Sequence, residues 1–286
     1  MKRTRTGNYG KLIKHDLYIG LLCGWRRYLP VFFLAAILFS MPYMGYRSLL
    51  QEGGIQPGPI TLGNYLLSAF SGMLPYDPAS GAPFQIPIYW FALQLYLAFV
   101  VGGYANRDLA GYGKNILIRA RTRTGWWLSK CLWNVAGVLV YYAILFLCAV
   151  LFAAATGSVS LLPNLQIAGE WLNMDCSAAS AQQVALVAAL APLLTSLAVC
   201  LLQMFLSFLL RPIYGYVAVA VLMIASAYCF TAVLPGNWSM LLRSEALLPG
   251  GIPFEVALLL SLLLMAVSVL AGLIYFKRCD ILETNS

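Results

Sequence analysis

Six apolar stretches, separated by segments that carry either several Lys and Arg residues or almost none, constrain this chain more than any other feature. They run approximately Tyr28–Tyr46, Ile86–Tyr104, Leu132–Thr156, Val184–Leu210, Ile213–Val233 and Val256–Phe276. An α-helix rises 1.5 Å per residue, so about 20 apolar residues cross the roughly 30 Å hydrocarbon core of a bilayer. The chain has 286 residues, of which 61% are hydrophobic and only 10% charged, against about 25% charged in a soluble domain. A core of this size cannot hide that much apolar surface, so its solvent is lipid. The expected fold is all-α: a polytopic membrane protein with six transmembrane helices and an amphipathic N-terminal helix. The first span reads as retained, because its basic lead-in is long for a signal peptide and no small-x-small cleavage site follows cleanly.

The charges alternate with the spans. Lys2, Arg3, Arg5, Lys11, Lys14, Arg26 and Arg27 precede the first span. Arg107, Lys114, Arg119, Arg121, Arg123 and Lys130 follow the second, Arg211 follows the fourth, and Lys277 and Arg278 follow the last. The other loops hold only Arg47 and Arg243, with the acids Glu52, Asp77, Glu170, Asp175, Glu245 and Glu255. The positive-inside rule then places both termini in the cytoplasm of a multi-pass protein of the cell membrane, with a bacterial cell as the expected source. The net charge of +8 is thus a topology signal, and no nucleic-acid partner is expected. The seven cysteines show neither zinc-ligand spacing nor a disulfide framework.

Three regions follow. Residues 1–27 form a basic tail and an amphipathic interfacial helix, anchored by Trp25, Arg26 and Arg27. Residues 28–276 form the six-span domain, and 277–286 a cytoplasmic tail. In the first external loop, Asn64–Leu74 is expected to be a short helix. The external stretch 234–253 reads as broken: Pro235-Gly236-Asn237-Trp238 stops and restarts a helix, Ser239–Leu248 is short and amphipathic, and Pro249-Gly250-Gly251-Ile252-Pro253 ends it. Such a piece can re-enter the outer leaflet only if its backbone is satisfied by protein. Asn237-Trp238-Ser239 matches a glycosylation sequon, a motif common by chance.

The loop at 105–131 concentrates charge and tryptophan. Arg119, Arg121 and Arg123 alternate with Ala120 and Thr122; Gly125, Trp126, Trp127, Ser129 and Lys130 lead into the third span. On this reading the tryptophans sit at the membrane interface and Lys130 snorkels to the headgroups. The run resembles the cytoplasmic coupling helix between the second and third spans of ATP-binding-cassette (ABC) exporter permeases of the type-2 membrane family. That helix carries an Arg-x-x-x-Gly-aromatic-aromatic-x-Ser-like run, and Arg121, Gly125, Trp126, Trp127 and Ser129 occupy the matching places. The whole plan is similar too: six spans, both termini inside, and a broken external segment between the last two.

The resemblance implies a permease subunit that pairs with a second one, identical or similar, and sits on a cytosolic ABC ATPase subunit. Arg119, Arg121, Arg123, Gly125, Trp126, Trp127, Ser129 and Lys130 would then form the docking surface. No Gly-x-x-x-x-Gly-Lys-Ser/Thr loop is present, so ATP and Mg are expected on the partner ATPase, with no cofactor and no enzymatic chemistry in this chain. No charge lies near the middle of a span, where ion-coupled carriers usually need one. The uncharged polar residues Gln94, Asn134, Tyr141, Thr195 and Gln203 are candidates for a translocation path, one suited to an amphipathic or hydrophobic cargo. Two alternatives stand beside this: a membrane scaffold or sensor that docks a cytosolic partner without transport, and an ATP-independent carrier.

Overall fold

In a hydrocarbon solvent each backbone N–H and C=O must find its partner within the chain, and a helix does so inside one segment. The computed structural model describes residues 7–52, 58–111, 123–172, 176 and 179–278, and these form helices and no strand. Helix α1 (Gly7–Leu17) runs into a π-helical turn (Tyr18–Leu22) and a 3-10 turn (Trp25–Tyr28). There follow α2 (Leu29–Glu52), α3 (Leu62–Phe70), α4 (Ile88–Gly102), α5 (Tyr104–Ala110), α6 (Arg123–Thr156), α7 (Leu165–Leu172), α8 (Ala181–Leu210), α9 (Pro212–Tyr228), α10 (Gly236–Ser239) and α11 (Phe254–Arg278).

The protein is an all-α membrane protein. Among the described residues five helical stretches are long and apolar enough to cross a bilayer: Trp25–Gln51, Ile88–Ala110, Arg123–Thr156, Ala181–Leu210 and Phe254–Arg278. Helix α8 is the hub and packs against α4, α6, α9 and α11. Large apolar side chains such as Phe33, Met44, Leu151, Leu259 and Leu263 point outward, as a lipid-facing surface requires.

The fifth expected span, Ile213–Val233, forms a helix shorter than its apolar run and shorter than the five stretches just named. Helix α9 stops at Tyr228 after 17 residues, about 25 Å, rather than continuing to Val233. The reason is Arg243, which is fully buried. Its Nη1 and Nη2 donate to the carbonyls of Ser226 (2.6 Å) and Ala227 (2.7 Å) in the last turn of α9. Its Nε donates to Met73 O (3.0 Å), Nη2 also to Leu74 O (3.3 Å), and Nη1 to Asn237 Oδ1. The last carbonyls of a helix lack intrahelical partners; here a guanidinium supplies donors and a charge that suits the negative end of the helix dipole. Burial pushes its pKa down, to about 10, which leaves it protonated at neutral pH.

The chain beyond α9 folds around this group. Asn237 Nδ2 donates to Cys229 O and Thr231 O (both 2.9 Å), and the Trp238 indole to Ala232 O (2.7 Å). Residues 236–243 are buried. The expected amphipathic helix Ser239–Leu248 does not form: α10 ends at Ser239 and a 3-10 turn covers Leu241–Arg243. Tight-turn bonds at Arg243, Ser244 and Leu247, together with the N–H of Leu242 to Ser71 O and of Glu245 to Ile252 O, replace the helical ladder. The sequon asparagine is 1% exposed and its amide is engaged, which leaves no room for a glycan in this fold.

The expected helix at Asn64–Leu74 begins two residues earlier, at Leu62, and ends at Phe70. Thr61 and Asn64 form a capping box there, satisfying first-turn donors. Asn64 also bonds Asn164 through both amide atoms, at 2.9 and 3.0 Å, which joins the two loops at this end of the bundle.

Candidate functional site: a buried lysine beside the basic segment

Residues 123–131, expected within a loop, are instead the first turns of α6. This helix is 34 residues long, about 51 Å, and so overruns the hydrocarbon core. Its start is enclosed by α1, α8 and α11, so residues that would otherwise meet headgroups or solvent turn inward. Gly125, Trp126, Trp127, Ser129 and Lys130 are all buried, while Leu128 faces out.

Lys130 is therefore not a snorkelling residue. Its side chain is 0% exposed, and its Nζ lies 2.5 Å from Asp16 Oδ1 and 2.6 Å from Asp108 Oδ2. The hydroxyls of Tyr104 and Ser129 donate to the two Asp16 oxygens, at 3.0 and 2.5 Å. The Trp126 indole N–H donates to Asp108 Oδ2 at 3.3 Å. The rings of Tyr104 and Trp126 flank the ammonium at 4.9 and 5.2 Å, within the range of cation–π attraction. A buried ammonium is tolerable only with such pairing.

The cluster joins three elements. Asp16 comes from α1, Asp108 from α5, and Ser129 and Lys130 from α6. Asp108 precedes the segment 112–122 and Lys130 follows it, so one side chain ties the chain on either side of this basic segment together and to the N-terminal helix. Arg119 and Arg121 lie outside the described residues. Arg123 Nη1 donates to Lys277 O (3.5 Å), bringing the end of α11 to the same place.

The tryptophan pair likewise does not lie in an interfacial belt. Trp127 stacks on Phe276 with centroids 5.2 Å apart and donates its indole N–H to Val269 O at 3.0 Å. A Cβ on Gly272 would overlap the Trp127 ring, so glycine is what lets α11 dock this closely. Trp126 packs against Phe208 and Phe276. The pair thus fastens the ends of α8 and α11 to α6.

A second close approach lies on the other side. Gly20, in the π-helical turn, faces the Trp133 indole so tightly that any Cβ would overlap it. Trp133 in turn stacks on Tyr104 at 4.1 Å. A π-turn shifts the face of a helix by part of a turn, and here it sets Gly20 against Trp133 while Asp16 meets Lys130. Of the interface residues, Trp25 and Arg26 are exposed and Arg27 is half-buried; the carbonyl of Arg27 accepts a 2.6 Å bond from Tyr96.

The candidate path residues sit between helices. Gln94 Oε1 accepts from Ser196 (2.9 Å), Asn134 Nδ2 donates to Cys200 O (3.1 Å), Gln203 Nε2 to Ala98 O (3.1 Å), and the Tyr141 hydroxyl to Leu93 O (3.0 Å). Thr195 bonds Ala191 O within its own helix (2.8 Å). The first four are the interhelical hydrogen bonds expected of a membrane bundle. Gln94, Asn134 and Gln203 each retain one buried polar atom without a hydrogen-bond partner: Nε2, Oδ1 and Oε1 respectively.

Residues 60–282 match the family described as "Protein of unknown function (DUF2705)". The chain belongs to this DUF2705 family. No curated protein and no solved structure matches it. The DUF2705 match spans Asp108, Lys130 and Arg243, while Asp16 lies ahead of it. Sequence reasoning missed Asp16 and Asp108. The signal was present, since these are the only acids on the basic side of the chain ahead of the C-terminal tail.

Proposed function

We propose that this protein is the membrane-spanning permease subunit of an ABC exporter, working as a homo- or heterodimer on a separate cytosolic ATPase that binds ATP and Mg. In this reading both termini and the segment 112–122 face the cytoplasm of a bacterial cell, and the cargo is amphipathic or hydrophobic. The observation that carries the reading is the Lys130 cluster. A segment that receives motion from an ATPase must pass it to the spans, and a segment hinged on soft tethers would dissipate it. Here the chain on either side of the basic segment and the interfacial helix converge on one buried ammonium, and the tryptophans beside it fasten α8 and α11 to the same point.

The partly unpaired amides of Gln94, Asn134 and Gln203 fit the same role. They lie along the contacts of α4, α6 and α8, and their spare hydrogen-bonding capacity would let these helices shift and pair again. The test is affinity purification from native membranes followed by ATP hydrolysis of the recovered complex. An ATPase subunit should co-purify, and replacing Arg119 and Arg121 together by Ala should reduce its recovery at least tenfold without loss of membrane insertion. Recovery of the chain with no ATPase from native membranes overturns the reading; recovery with a different cytosolic protein favours the scaffold alternative.

A further inference from the structure

The N-terminal segment and the spans enclose a groove that the proposed transport role does not use. Helix α1, the π-helical turn and the start of α2 form one wall, and Ala136, Val140 and Ile144 of α6 form the other. Its volume is about 1020 Å³, at the upper end of the roughly 300–1,000 Å³ found for small-molecule sites. The wall is apolar almost throughout, with Leu17, Leu21 and Phe32 among its residues, and Lys14 is the only charged side chain in it among the described residues.

The groove has a direction. Lys14 is two residues from Asp16, which holds Lys130, so the Lys14 end lies level with Lys130. Ile144 is fourteen residues further along α6, about 21 Å. One leaflet of a bilayer offers about 15 Å of hydrocarbon. With Lys130 at the headgroup level of the proposed topology, the groove descends to about the depth where acyl chains end. Lys11 and Arg26, adjacent in sequence to the lining residues Gly10 and Trp25, are exposed. The nearest acid in the sequence, Asp16, is buried and paired with Lys130. The mouth thus presents cations and an aromatic belt of Tyr18 and Trp25, both more than half exposed, above an apolar shaft.

We propose that this groove is a binding site for one anionic phospholipid of the leaflet on the N-terminal side, with its phosphate at Lys14 and its acyl chains along Val140 and Ile144. The inference is independent of transport. It assigns α1 a lipid-dependent seat, since the bound chains would add to its direct packing on α6 and bridge it to the start of α2.

The test is native mass spectrometry of the detergent-purified full chain incubated with dioleoyl phosphatidylglycerol or dioleoyl phosphatidylcholine. One lipid per protomer should survive, with phosphatidylglycerol retained about fivefold over phosphatidylcholine, as expected for one lysine at an anionic headgroup. Lys14→Glu should abolish that preference while phosphatidylcholine still binds. Val140→Trp, which fills the shaft, should abolish retention of both lipids; Leu21→Trp does the same from the opposite wall should Val140→Trp fail to fold. Leu151→Trp, on the outward face of α6, should change neither. Equal retention of the two lipids by the wild type, or retention indifferent to both groove-filling variants, overturns the proposal. Loss of self-association by those variants with lipid retention intact would assign the groove to a second copy of this chain.

Discussion

Lys130→Met removes the one cation shared by two buried carboxylates and keeps an apolar stem of similar length. The consequence is calculable from what each acid retains. Asp16 keeps the hydroxyls of Tyr104 and Ser129, with the His15 ring nitrogen 3.8 Å away, and Asp108 keeps, among the described residues, the indole N–H of Trp126. Both are at least nine-tenths buried. Removing one partner of a buried ion pair costs about 3–5 kcal/mol, because the remaining charge stays desolvated. One ammonium serves two acids here, so the expected loss is about 5 kcal/mol. An exposed pair would lose only about 0–1 kcal/mol.

The assay is equilibrium unfolding in mixed micelles of increasing SDS fraction, followed by the fluorescence of Trp126 and Trp133, which lie in and beside the cluster. A triple variant separates charge from packing. Adding Asp16→Asn and Asp108→Asn to Lys130→Met removes both orphaned charges while preserving shape, and should restore at least half of the lost stability, since neutral replacements of buried ionic groups are often tolerated. Lys130→Arg should not rescue fully, because a planar guanidinium does not fit between the Tyr104 and Trp126 rings as a compact ammonium does. A loss below 1 kcal/mol for Lys130→Met, or a triple variant no more stable than the single one, would refute the claim that this ion cluster is a rigid joint.

Two further outcomes test the same structure at other points. Gly20→Ala places a methyl group in the Trp133 indole, which must move off Tyr104; overpacking of this kind costs about 1–3 kcal/mol, and unfolding titrations should show it together with a changed Trp133 emission. Arg243→Met strips donors from four carbonyls and from Asn237, and with about 1–3 kcal/mol for a buried unsatisfied group the loss should reach about 3–5 kcal/mol once water enters. Limited proteolysis should then cut between residues 229 and 253 in the variant and not in the wild type, and Arg243→Lys should recover less than half of the loss.

The spans were legible because their signal is local. A run of about 20 apolar residues needs lipid wherever the rest of the chain goes, and helix is the structure that satisfies its backbone. Helices α2, α4, α6, α8 and α11 follow from that alone. The site was not legible in the same way, because its meaning depends on pairings across the sequence. Trp126, Trp127 and Lys130 at the edge of an apolar run look like an interfacial anchor. Only the convergence of α1, α8 and α11 on the start of α6 turns them inward, and that convergence rests on Gly20 and Gly272, whose missing side chains carry no hydrophobic signal. Asp16, 114 residues from Lys130, offered a quieter clue as an acid stranded among cations.

Arg243 shows the same limit from the other end of the bundle. A count of loop charges records it as one of two cations on the acidic side, a small exception to the charge bias that orients membrane proteins. That bias concerns free charges near the headgroups. A guanidinium enclosed by the carbonyls of Met73, Leu74, Ser226 and Ala227 is instead the cap of α9, and it sets the helix length that hydropathy overestimated. The apolar residues from Phe230 to Leu234 extend the hydropathy signal past Tyr228, but their backbone pairs with Asn237 and Trp238 rather than with a continuing helix. A single buried arginine thus accounts for the early end of α9, while turn bonds and the pairing of Glu245 with Ile252 take the place of the helix expected after it.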